Sequence, residues 1–332
     1  MSKSRHRRPP PADPASSRKQ DIPAPENVLG ASARGASYLI LLQLFTRLLT
    51  FTFNQLILRH TSPSTFGFAT IQLDLLSSTI LFLSREGFRI ALQRSPSPTD
   101  LQRPINLAYI PLIPGLLGGL VGCYALYHGA DSQVRQIGGF GASIVLYGLA
   151  TTVELLSEPC FAVVQQLLLF RTRSLAEGTA VLARCAVTYL SVMYFVKRGR
   201  LEEFAAVPFG LGQLAYASVL TGVYLVVISK RVHLRPRKIT PEDETPDEDA
   251  KGMNKTVDTG GRGYWFHGPS LWLAFSVTGQ SLFKHLLTEG DKLVLTFLTT
   301  PYTQGIYAVV SNYGTPPSSF HLICVRSLIQ AH

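Results

Sequence analysis

The chain has 332 residues, of which 46% are hydrophobic and only 16% are charged. Soluble domains carry roughly 25% charged residues, so this composition excludes a soluble domain and is typical of a multi-span membrane protein. The net charge of +10 would suggest nucleic acid in a soluble protein. Here the positive charge is explained by the Lys and Arg residues of the predicted cytoplasmic segments, and we expect no nucleic-acid partner.

The apolar runs predict an all-α, polytopic membrane bundle of about eight spans. A six-span N-terminal lobe covers residues 36–229, and the start of a second lobe covers residues 271–314. The eight predicted spans are Ala36–Leu58, Phe66–Ser84, Ile105–Tyr127, Gly139–Glu158, Thr179–Val196, Val207–Ser229, Leu271–Leu287 and Leu293–Val310.

The remaining segments are polar. Residues 1–35 are rich in Pro, Ser and Arg and predict a disordered basic tail. Residues 230–270 predict a charged, solvated linker, and residues 315–332 form no convincing span. Pro159 is expected to break the fourth span, and the polar segment 288–292 is expected to form a turn between the last two spans.

The distribution of Lys and Arg predicts the orientation. With the N-terminus inside, 21 of the 31 Lys and Arg residues lie in cytoplasmic segments and five lie in loops on the other side. Because basic residues accumulate on the cytoplasmic side, the N-terminus, the tail and the linker are predicted to be cytoplasmic.

Several predicted spans carry charges on polar stripes. In the first span Gln43, Arg47, Thr50 and Asn54 recur at intervals of four, three and four residues, which places them on one helical face. A charge at the bilayer centre costs about 2.5–3.5 kcal/mol. The charged residues within the predicted spans include Arg47, Glu154, Arg184 and Lys284.

Together these four charges would cost on the order of 10 kcal/mol if they faced lipid. They are therefore expected either to form internal ion pairs or to line a shared hydrated cavity that binds an anionic, polar headgroup. The recurrence of cationic positions suits a phosphate-bearing ligand, and both alternatives stay open at this point.

Motifs for enzyme chemistry are absent from the sequence. It contains no Walker loop, no G-x-S-x-G and no H-E-x-x-H. Its four cysteines form no C-x-x-C pair, and the histidines are single. We therefore expect no catalytic residue, no metal site and no cofactor.

Five stretches in this order are similar to a known family: FTRLLTFTFNQLILR (45–59), LFLSREGFR (81–89), VELLSEP (153–159), LLTEGDKLVLTFL (286–298) and QGIYAVVSNYG (304–314). Over about residues 30–314 the chain resembles the eukaryotic Rft family. The resemblance implies an endoplasmic-reticulum membrane protein that translocates dolichol-pyrophosphate-linked Man5GlcNAc2 oligosaccharide for N-glycosylation. It also implies the fold of the multidrug and oligosaccharidyl-lipid exporter superfamily, with two helical lobes around a central cavity and alternating access.

The motifs of the family imply cavity and gate residues at matching positions. Together with Arg184 from the charge argument, the candidates are Arg47, Arg59, Arg85, Glu86, Arg89, Glu154, Glu158, Arg184, Lys284, Glu289 and Asp291. The implied partners are the glycolipid itself and membrane lipid. Members of the family carry more spans than are predicted here, so we expect a C-terminally truncated member.

Three functions follow as hypotheses. The first is a transporter that flips the dolichol-linked oligosaccharide from the cytoplasmic to the lumenal leaflet. The second is a non-transporting accessory protein that supports delivery of the same glycolipid, or an inactive truncated fragment. A membrane glycosyltransferase comes last, because the sequence lacks an acidic metal motif.

Overall fold

The computed structural model describes residues 44–94, 101–230, 232, 234–239, 265–266 and 268–312. The chain divides into two units, residues 1–44 and residues 45–332, and every described residue except Leu44 belongs to the second. The predicted tail 1–35, residues 36–43 of the first predicted span, most of the linker and the predicted tail 315–332 lie outside the described residues.

The described part of the chain is built from helices, twelve of them α-helices, in keeping with the predicted all-α fold. In chain order they are α1 Leu44–Leu58, α2 Pro63–Gly67, a π-helical segment Phe68–Leu73, α3 Asp74–Arg94, α4 Gln102–Ala108, α5 Leu112–Gly129, α6 Ser132–Arg135, α7 Phe140–Leu155, α8 Glu158–Gln166, α9 Phe170–Lys197, α10 Val207–Ile228, α11 Gly268–Leu298 and α12 Pro301–Asn312.

Five helical stretches within the described ranges are long and apolar enough to cross a membrane. They are Pro63–Gln93, Gln102–Gly129, Phe140–Gln166, Phe170–Lys197 and Val207–Ile228. These stretches contain the second to sixth predicted spans except for the end residues Gly139 and Ser229, so those spans are confirmed by length and composition. The protein is therefore a polytopic helical membrane protein.

Two helices that follow a break in the described chain have a proline in their first turn. Helix α7 ends at Leu155 and α8 begins at Glu158, with Pro159 in its first turn. Proline is tolerated there because the N–H groups of a first helical turn have no intrahelical partner. The predicted break at Pro159 is confirmed. Pro301 likewise opens α12, so the last break in the described chain lies just before it.

Two predicted helix ends are wrong. Helix α3 continues past Ser84 to Arg94, and α11 runs without interruption through residues 288–292, where a turn was expected. The reason is the same in both places. Polar side chains end a helix only when they need solvent, and here they find partners, as Glu289 and Lys292 do within α11 at 2.9 Å.

Helices α2 and α12 cross at backbone contact. A Cβ on Gly67 would collide with the backbone of Gly305, and a Cβ on Gly305 would collide with the backbone of Pro63. Beside this crossing the Gln72 side chain donates a hydrogen bond to the fully buried Gln304 at 2.9 Å. The crossing ties the start of the second predicted span to α12.

The ends of the predicted linker are attached to α4. The Asn106 amide nitrogen donates to the backbone carbonyls of Arg237 at 2.7 Å and of Trp265 at 2.8 Å. The Tyr109 hydroxyl donates to the carbonyl of Leu234 at 2.8 Å. Because Asn106 is buried, these hydrogen bonds satisfy an amide that would otherwise be costly to bury. The two ends of the linker are therefore fixed and are not simply solvated.

Candidate functional site

A π-helical segment positions the first charged residue of the site. Phe68–Leu73 is π-helical, and Asp74 follows it directly as the first residue of α3. A π-helical turn contains more residues than an α-helical turn, so it changes which side chains face the neighbouring helices, and such segments are frequent at functional sites. Thr70, Ile71 and Asp74 all face the same cavity.

This cavity has a volume of about 520 Å³ and lies among helices from both ends of the described chain. Its wall combines apolar side chains with hydroxyls, an amide and four charged groups. The lining residues are Thr50, Asn54, Ile57, Phe66, Thr70, Ile71, Asp74, Val181, Arg184, Cys185, Thr188, Phe209, Asp291, Lys292, Tyr307, Ala308 and Ser311. A polar cavity in an otherwise apolar bundle is the strongest candidate for a functional site.

Two cations in the cavity approach one carboxylate. Lys292 Nζ is 2.9 Å from Asp74 Oδ2, and Arg184 Nη2 is 3.9 Å from Asp74 Oδ1. The Lys292 ammonium is also 2.9 Å from Glu289. The Tyr307 hydroxyl donates to Asp291 at 2.7 Å. The site therefore presents cations and carboxylates from α3, α9 and α11 to one space.

The charged groups of this cavity are only partly buried. The side chains of Arg184 and Asp74 are 36% and 35% exposed, and that of Lys292 is 25% exposed. At 3.9 Å the Arg184–Asp74 pair is an electrostatic contact beyond hydrogen-bond distance. An anion that enters the cavity can therefore reach both cations.

A second cluster of charges is sealed in the protein interior. Arg85 Nη1 lies 2.8 Å from Glu154 and 3.2 Å from Glu158, and Arg89 donates twice to Glu158, at 2.6 and 3.0 Å. The two glutamates are each 3% exposed, and the Arg89 guanidinium lies 3.8 Å above the ring of Phe161. These ion pairs bind α3 to α7 and α8.

The remaining cationic candidates lie at the surface. Lys284 is 3.4 Å from Glu86, and the Lys284 side chain is 65% exposed. Arg47 and Arg59 are exposed as well, and neither forms an ion pair with another residue in the described ranges.

The structure therefore separates the eleven predicted residues instead of collecting them around one chamber. Arg184 and Asp291 line the cavity, and Glu289 contacts Lys292 beside it. The expectation that Arg47, Glu154 and Lys284 share this cavity is corrected, since none of the three lines it. The sealed cluster instead forms internal ion pairs, which were the alternative to a hydrated cavity in the sequence analysis.

Sequence reasoning missed two central residues of the cavity. Asp74 is not among the eleven predicted residues, and Lys292 lies in the segment for which a turn was expected. The available signal was the spacing of Glu289 and Lys292, which share a face if the helix continues. Asp74 pairs with a residue of α11 that is more than 200 positions away in sequence. The residues around Asp74 therefore give no indication of this pairing.

The helices and the cavity together define a multi-pass membrane protein with a charged internal site. The comparisons with known proteins make this class more specific. Residues 31–315 match the profile described as "Rft protein", so the chain belongs to the Rft family.

Curated relatives agree with this assignment. The chain is 31% identical to the Man(5)GlcNAc(2)-PP-dolichol translocation protein RFT1 of Yarrowia lipolytica, in an alignment that covers 90% of this chain and 47% of the relative. Identity to the protein of the same name is 35% in Eremothecium gossypii, covering 87% and 54%, and 30% in Mus musculus, covering 87% and 52%. The chain thus spans about half the length of these relatives. No solved structure matches it.

Proposed function

We propose that this chain forms part of a protein that moves Man5GlcNAc2-PP-dolichol across the endoplasmic-reticulum membrane, from the cytoplasmic to the lumenal leaflet. The names of the curated relatives support the substrate. The excess of Lys and Arg on one side of the predicted topology supports a cytoplasmic N-terminus. The protein acts as a carrier and catalyses no covalent step.

The single observation that carries the proposal is the presence of Arg184 and Lys292 in one polar cavity of an apolar bundle. Two cations from separate helices suit the diphosphate of the glycolipid, because phosphate oxygens accept charge-assisted hydrogen bonds from both. The hydroxyls of Thr50, Thr188 and Ser311 suit sugar hydroxyls.

The volume of the cavity limits what enters it. About 520 Å³ lies within the range of roughly 300–1,000 Å³ of small-molecule sites. In the proposal the cavity therefore holds the diphosphate and the sugar next to it, while the rest of the glycan extends outward and the dolichol tail stays in lipid. The sealed cluster around Glu158 keeps α3, α7 and α8 together and does not touch the ligand.

A reconstituted transport assay tests the proposal. The purified protein is placed in liposomes with Man5GlcNAc2-PP-dolichol, and the glycolipid that reaches the opposite leaflet is measured against protein-free liposomes. Transport above the protein-free rate, reduced in R184Q, is the expected result. A wild-type rate equal to that of protein-free liposomes would overturn transport and favour the accessory role.

A further inference from the structure

Asp74 lies where three helices of the cavity meet. Its two carboxylate oxygens face different cations, Lys292 on α11 at 2.9 Å and Arg184 on α9 at 3.9 Å. All three residues line the cavity. The carboxylate therefore occupies the space between the two cations, which is where an anionic group of a ligand would have to bind.

The contacts of Asp74 differ from those of the sealed cluster. There, Glu158 is 3% exposed and accepts three hydrogen bonds from two arginines. The Asp74 side chain is 35% exposed, and only its contact with Lys292 is within hydrogen-bond distance. The sealed cluster is closed to a ligand, whereas the pairs of Asp74 are open to an entering anion.

We infer that Asp74 is an internal counter-anion, which occupies the diphosphate subsite of the empty cavity and is displaced when a diphosphate binds Arg184 and Lys292. The inference rests on the proposed function, since it assigns the diphosphate to that same cavity. A diphosphate carries more negative charge and more acceptor oxygens than one carboxylate, and it matches the fork of a guanidinium. It therefore displaces Asp74 from both cations.

This exchange has a consequence for affinity. Part of the attraction between the diphosphate and the cations is offset by the loss of the Asp74 contacts. The wild-type cavity consequently binds its ligand more weakly than the same cavity without the carboxylate, and it releases the ligand more readily. Lys292 keeps its contact with Glu289 throughout, because both residues lie on α11.

Removal of the charge on Asp74 tests the inference. Binding of a short-chain prenyl diphosphate and of inorganic diphosphate to the purified full chain in detergent is measured by calorimetry. D74N is expected to bind the diphosphate about tenfold more tightly than wild type, D74E is expected to bind like wild type, and R184Q is expected to bind at least tenfold more weakly. The control E203Q removes an equal charge from the exposed pair with Arg200 and should bind like wild type.

The results separate the inference from the proposed function. If R184Q binds weakly while D74N binds no more tightly than wild type, the cavity takes a diphosphate but Asp74 is not its competitor. If R184Q binds like wild type, or neither wild type nor D74N binds either ligand, both are overturned. Tighter binding of the prenyl compound than of inorganic diphosphate assigns the site to a lipid headgroup, and equal binding assigns it to free diphosphate.

A measurement on the wild-type protein covers the case in which D74N fails to fold. A carbodiimide joins carboxylates to amines that are already in contact, so it should link Asp74 to Lys292, and mass spectrometry quantifies the linked peptides. Diphosphate is expected to reduce this link and to leave the surface link between Glu86 and Lys284 unchanged. An Asp74–Lys292 link that persists undiminished at saturating diphosphate would overturn the inference.

Discussion

The substitution Glu158→Gln tests the role assigned to the sealed cluster. The Glu158 carboxylate is 3% exposed and is approached by Arg89 at 2.6 and 3.0 Å and by Arg85 at 3.2 Å. The change keeps the shape of the side chain and removes its charge. Arg85 retains Glu154 at 2.8 Å, so Arg89 is the cation left without a counter-ion.

The magnitude follows from this difference between the two arginines. Removing one partner of a buried pair costs about 3–5 kcal/mol. The Arg89 side chain is 21% exposed and lies over the ring of Phe161, which lessens the penalty, so we expect a loss at the lower end, about 3 kcal/mol. The loss should be measured by equilibrium unfolding in SDS and mixed micelles.

Two control variants sharpen this experiment. The double variant R89Q/E158Q leaves neither charge behind and should recover at least half of the loss, because removing both partners of a buried pair is far less costly than removing one. E203Q should leave stability unchanged. Arg200 donates two hydrogen bonds to Glu203, which lowers the pKa of that carboxyl, but the pair is exposed. A stability of E158Q within about 1 kcal/mol of wild type, or additive losses in the double variant, would refute the assigned role.

Three further predictions concern other parts of the molecule. G305A should destabilise the protein by about 1–3 kcal/mol, because its methyl group would overlap the backbone of Pro63. G222A, with no atom within 4 Å of the added Cβ, should be neutral or stabilising, and equal stabilities in SDS unfolding would contradict the close crossing. R184Q should lower glycolipid transport at least tenfold in liposomes while unfolding at the wild-type SDS concentration, and wild-type transport would remove the cavity from the mechanism. K284Q should change the free energy of unfolding by no more than about 0.5 kcal/mol, because the Lys284 side chain is 65% exposed. A loss of several kcal/mol would show that the ion pair of Lys284 with Glu86 on α3 does contribute to stability.

Spans two to six could be predicted from the sequence because apolar length is a local property. The break at Pro159 was predictable for the same reason, since a proline acts on its own helix. Segment 288–292 was misjudged because its polar residues were assumed to need solvent. Lys292 has a local partner, Glu289, and a distant one, Asp74, and no window of sequence contains both Asp74 and Lys292.

The candidate site was predicted less well than the fold. The energetic cost of charge in a membrane correctly indicated that Glu154 would have partners, and the structure supplies Arg85. That argument could not say which charges pair with each other and which face a cavity, because the choice depends on helix packing. Arg184 was selected on its charge alone, and its place beside Asp74 depends on how α9 and α3 pack in the bundle, which no local stretch of sequence specifies.

The Asn106 amide has a practical consequence for protein engineering. It holds the backbone at Arg237 and at Trp265 together, so these two points stay in contact whatever the length of residues 240–264. Lengthening a connection whose ends are already joined costs little, about 0.6 kcal/mol for each doubling. This stretch is therefore the natural place to insert a fluorescent reporter or an affinity tag, and cleavage within it would leave two fragments that purify together.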